Sequence, residues 1–68
     1  MIRNFVRFLE RRAAGLEKDA AFALAAKLPH ASDSAVAASI LAQREAALVA
    51  ATKLRRQVAD IRAAAFLE

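Results

Sequence analysis

A single proline, Pro29, interrupts a chain of 68 residues that otherwise holds little able to turn a backbone. Glycine also occurs once, at Gly15, and cysteine is absent. β-Branched residues are few, so strands and repeated tight turns are not expected. About half of the hydrophobic residues, which make up 59% of the chain, are alanine. Alanine favours helix while adding little apolar surface. Proline lacks a backbone donor and disfavours helical geometry at the residue before it. The chain should therefore be all-α, with one break, after Leu28.

Apolar residues before the break recur at Ile2, Phe5, Val6, Leu9, Ala13, Leu16, Ala20, Ala23 and Leu24. Steps of three and four place them on one stripe of a helix, predicted over residues 2–28, with Arg7, Arg11 and Lys18 opposite. Gly15 costs about 1 kcal/mol relative to alanine, but the stripe keeps its phase across it. The expectation is one helix, bent at Gly15 if anywhere, with two short helices as the competing reading. Residues 29–33 should form the turn. Ser32, Asp33 and Ser34 each offer an oxygen to cap the next helix. That helix is predicted over 34–66, with an inner stripe of Val36, Ile40, Ala47, Ala51, Leu54, Val58, Ile61 and Ala65. Ile40, Ala47, Leu54 and Ile61 lie seven apart, as in a coiled coil. So short a turn makes the helices antiparallel neighbours in a hairpin, a single domain over 1–68.

Counting back from the turn pairs Leu28 with Ser34 and Ile2 with Asp60. The second helix should then overhang by one to two turns carrying Ile61, Phe66 and Leu67. Apolar residues also lie off the inner stripe: Phe8, Phe22 and Leu28 in the first helix, Leu41, Leu48 and Phe66 in the second. Such an aligned row on a small chain suggests an interface. Chains this short often need reinforcement, and without cysteine only self-association remains. A two-fold homodimer forming a four-helix bundle would bury both row and overhang. Phe8, Phe22, Leu41, Leu48 and Phe66 are the candidate partner or dimer contacts, with Arg11 and Arg55 as rim charges. For Leu41 and Leu48, completion of a homodimer core is an equal reading.

No reaction chemistry is expected. His30 lies in the turn without a patterned nucleophile or carboxylate beside it. No Glu-x-x-His pairing, thiolate or glycine-rich phosphate loop occurs, so no catalytic residue, metal site, cofactor or small-molecule substrate is assigned. The net charge of +4 admits acidic partners. Arg3, Arg7, Arg11 and Lys18 form one basic ridge, and Arg44, Arg55 and Arg62 a sparser second. Weak nucleic-acid binding is thus an alternative, though Glu10, Glu17, Glu45 and Asp60 interrupt the charge and no recognised nucleic-acid motif is present. Residues 2–13 have the alternation of an interfacial membrane helix, which ordinary helix packing demands equally. No uncharged run of the roughly 18–20 residues needed for a membrane span is evident, so a cytoplasmic setting is expected.

The stretch Lys27-Leu28-Pro29-His30-Ala31-Ser32-Asp33 superficially resembles the turn of type III secretion needle subunits, over about Ala25 to Gln43. The Pro-Ser-Asp-Pro order of that family is not reproduced, and its polar, aromatic-containing tail is absent. No family follows from it. The expected function is a small non-enzymatic interaction module that self-associates and binds another protein, as an inhibitor, sequestering factor, assembly subunit or secretion subunit does.

Overall fold

The computed structural model describes the backbone of residues 2–67 and side chains through residue 65. Two α-helices account for most of it: α1, Ile2–Phe22, and α2, Ser34–Leu67. The described residues contain no strand. α1 runs unbroken through Gly15, so the split-helix reading is excluded.

α1 ends earlier than its stripe suggested, and the reason is Pro29. From Ala23 to Lys27 the helix widens to π geometry, and the Leu28 N–H donates to the Ala23 carbonyl five residues back. A proline ring crowds the carbonyl four residues before it. Widening the preceding turn makes room for the ring without ending the helix. Leu28 itself stays helical (φ −59°, ψ −43°), contrary to the expected extension there. Leu28–His30 tightens to a 3₁₀ turn, closed by Ala31 N–H donating to the Leu28 carbonyl at 3.1 Å. The reversal therefore falls at residues 31–33, after Pro29. Of the three candidate caps, Asp33 acts: its Oδ1 accepts from the Val36 N–H at 2.9 Å. The Asp33 carbonyl opens the α2 ladder by accepting from Ala37 N–H at 3.0 Å.

The two helices pack through heptad positions. Val6 and Leu9 of α1 are buried with Val58 of α2, and Leu54 and Ile61 flank them. Among the described residues, Ala13, Ala20, Ala23 and Ala51 are the remaining buried apolar ones. The core is an aliphatic knot near the termini, continued toward the turn by alanines. Methyl-sized contacts bury little area, so this seam contributes less than a leucine seam would.

Two ion pairs fix the register. Glu10 accepts from Arg62 at 3.1 Å, and Glu17 takes a two-pronged contact from Arg55, with Nε donating to Oε2 at 2.8 Å. Each partner moves seven residues along its helix, in opposite directions, as heptad-spaced side chains do on antiparallel helices. This register corrects the one counted from the turn. With Glu10 beside Arg62, Ile2 lies level with the last turn of α2 instead of Asp60, and no overhang results. The π turn, the 3₁₀ turn and the extended Ala31 lengthen the connection enough to slide the helices by about two turns.

Four residues assigned to the inner stripes are exposed instead: Ile2, Phe5, Leu24 and Val36. Ala65 is exposed as well. Ile2 and Phe5 lie beyond the last packed layer. Near the turn, Ala23 stays buried while Leu24 is exposed where the helix widens, because a π turn disturbs the 3.6-residue phase. The molecule measures 53 × 15 × 12 Å, with a radius of gyration of 15.6 Å.

Candidate interaction surface

Phe8 and Phe22 project from the face of α1 that turns away from α2. They are 58% and 57% exposed, although a phenyl ring is among the costlier groups to leave in water. Each lies two positions past a buried residue, Val6 or Ala20, and the two share one heptad row. Gly15 occupies that row midway between them. A methyl group built on Gly15 would meet nothing within 4 Å, so packing inside the chain gives no reason for a glycine there. Lys27 Nζ stands 6.0 Å from the centre of the Phe22 ring, at the outer limit of a cation–π contact. Arg11, exposed beside this row, makes no ion pair among the described residues.

The α2 candidates form a separate surface. Leu41 is exposed and Leu48 half-buried. Leu48 lines a shallow open groove with Glu45, Val49, Thr52, Lys53 and Arg56. Val49 is an exposed apolar residue of this groove that the stripe reading missed. It sits almost opposite the inner stripe, where only a search of the outer wheel would have found it. Thr52 bonds back to the Leu48 carbonyl at 2.9 Å. The side chain of Phe66 lies outside the described residues. The predicted contacts are thus divided between an α1 back face and an α2 flank.

Arg55, expected as a free rim charge, is held by Glu17. The hydrogen bond from Arg55, and then its positive charge, hold the Glu17 carboxyl below its usual range. The same bond raises Arg55. Both side chains remain well exposed, so the pair orients the helices more than it stabilises them.

These pairings also reshape the basic surface. Arg55 and Arg62 of the second ridge are neutralised by Glu17 and Glu10, and Arg44 is half-buried. Only the α1 ridge keeps exposed, unpaired charge along its length. Among the described residues no three acidic, histidine or cysteine side chains gather as a metal site would require. His30 is exposed in the 3₁₀ turn. α2 is long and apolar enough, by length and composition, to cross a membrane, which corrects the expectation from apolar runs alone. Every 18-residue window of α2 with no more than two charges contains Arg44 and Glu45 near its centre, where charge is costliest in a bilayer.

Comparison with protein-family models, curated proteins and solved structures finds no match.

Proposed function

We propose that this chain is a non-enzymatic protein–protein interaction module, a hairpin that self-associates into a four-helix dimer and binds another protein through apolar side chains edged with arginine. The observation carrying this reading is an imbalance of surface. A globular chain of 7.3 kDa exposes about 4,200 Å² by the usual scaling with mass, whereas this one exposes 5307 Å². The excess is of the order of the roughly 800 Å² that each partner contributes to a stable interface. Large apolar side chains supply part of it, while alanine fills most of the core.

Sedimentation equilibrium at tens of micromolar tests the self-association, with a dimer expected. A strictly monomeric species would end that part of the reading. Affinity isolation with the tagged chain tests the second partner: Phe8→Ser and Leu41→Ser should each reduce capture, and unchanged capture removes these residues from the interface. Phosphate binding through the arginine ridges is the weaker reading, because two of the three cations of the second ridge already face carboxylates. A salt titration separates the two: phosphate contacts weaken steeply between low and physiological salt, and an apolar interface changes little.

A further inference from the structure

We infer that the open end of the hairpin, where α1 begins, docks on the surface of an anionic lipid bilayer. Ile2, Phe5 and Phe8 enter the headgroup layer, and Arg7 and Arg11 reach the lipid phosphates. This goes beyond the protein-binding reading: it assigns the start of α1, Phe8 included, to a membrane and leaves the Leu41 and Leu48 flank of α2 to a protein.

In the sequence, the apolar residues of 2–13 suit an interfacial membrane helix and packing against α2 alike. The fold separates the two. Val6, Leu9 and Ala13 are buried in the seam, whereas Ile2 stays 60% exposed and Phe5 47%. Packing within the chain therefore accounts for only half of the apolar side chains here. Ile2, Phe5 and Phe8 lie three residues apart, so each steps about 60° round the helix from the last. Together they spread apolar surface over about 120° of the first two turns. One docked helix covers one direction, but a fluid headgroup layer closes over all three.

Charge selects the surface. Arg3, Arg7, Arg11 and Arg12 are exposed and form no ion pair among the described residues. Glu10, the one acid among residues 2–12, is held by Arg62. Asp60, exposed and level with Arg12 across the seam, offsets one of the four. Beyond Arg62, residues 63–65 of α2 are uncharged alanines. Ile2, Val6, Arg3 and Arg7 line one open groove with the Glu10–Arg62 pair, so apolar and basic surface adjoin. Arg11 and Arg7 lie about 60° and 100° round from Phe8, on the side away from Phe5. With Phe5 and Phe8 toward the acyl chains, both arginines stand at headgroup depth. There the long stem lies along apolar surface and the guanidinium meets phosphate. Nucleic acid offers phosphates too, but an aliphatic side chain such as Ile2 has no face on which a base stacks.

Vesicle binding tests this. The unaltered chain should co-sediment with vesicles that contain phosphatidylglycerol, and far less with pure phosphatidylcholine. The difference should shrink as salt rises. Arg11→Gln should weaken binding to the anionic vesicles about fivefold, and Phe5→Ser about tenfold. Both side chains are exposed, so the circular-dichroism spectrum in buffer should not change. The chain has no tryptophan, so a single introduced one reports its own surroundings. The fluorescence of Phe5→Trp should shift to the blue on anionic vesicles, and that of Val49→Trp, on the α2 flank, should not. A chain that stays free of anionic vesicles overturns the inference and leaves the protein-binding reading, which is tested without lipid, intact. In that case, binding of an oligothymidine probe that Arg11→Gln weakens and Phe5→Ser does not would place the arginines on nucleic acid. Equal binding to both kinds of vesicle, or a Val49→Trp shift as large as that of Phe5→Trp, overturns it as well.

Discussion

Ala13 and Leu9 sit in the same seam with opposite tolerances for change. Ala13 is 0% exposed and Leu9 4%, yet one fills its site with a methyl group and the other with a branched butyl chain. Ala13→Leu forces extra volume between the helices and should destabilise by about 1–3 kcal/mol. Leu9→Ala leaves a void beside Val6 and Val58 and should cost about 3 kcal/mol. For so short a chain the second loss is a large part of the total. Phe8→Ala, one residue away on the outer face, should leave the unfolding of dilute monomer nearly unchanged. Thermal melts at low micromolar concentration distinguish the three. Exposure, and not residue type, separates Phe8 from Leu9, and the helical spacing of the sequence already carried that distinction. For Ile2, Phe5, Leu24 and Val36 it did not, because their exposure follows from where packing stops.

At the level of the element, helix termini and the register between helices are the properties at stake. Asp33→Ala removes the side-chain acceptor for Val36 N–H and should cost about 1 kcal/mol, read as a lower unfolding midpoint in urea. Ser32 and Ser34 stood as equal candidates in the sequence, since residue type alone does not say which oxygen reaches the third amide of the helix. The Glu17–Arg55 pair carries a pH signature. The Glu17 carboxyl is more acidic in the folded chain than in the unfolded one, so the unfolded state binds the proton more readily. Its stabilisation is fully present above the unfolded carboxylate range and fades as pH falls through the lower folded value. Glu17→Gln should lower the melting temperature slightly at neutral pH and leave it unchanged in strong acid. A loss of equal size at both pH values would show that the side chain packs, not that it pairs. The two glutamates and two arginines were visible in the sequence as charges that interrupt basic ridges. Their pairing was not, because it depends on the slide of one helix along the other.

For the whole molecule the governing quantity is surface left in water. A radius of gyration of 15.6 Å compares with about 11 Å for a typical globular chain of this length. An elongated two-helix layer cannot enclose side chains on its outer faces, so burying them requires a second molecule. If a dimer forms, unfolding is coupled to dissociation and the melting temperature must depend on concentration. Each tenfold dilution should lower it by about 5 °C for a dimer of this size, and a midpoint constant across a hundredfold range would signal a monomer. The α2 flank around half-buried Leu48 and exposed Val49 is one such outer face.

The sequence by itself determined the helical class, the two segments, their amphipathic faces, the location of the break and the outward placement of Phe8, Phe22 and Leu41. These are local properties, set by residue type and by spacing along 3.6 residues per turn. Only the tertiary structure decided the register, the widening before Pro29, the persistence of helix at Leu28, and which stripe residues are covered. Those depend on contacts between residues some forty to fifty positions apart and on the path of a short connection. A slide of two turns preserves the heptad pattern of each helix, so the pattern alone is satisfied by more than one alignment.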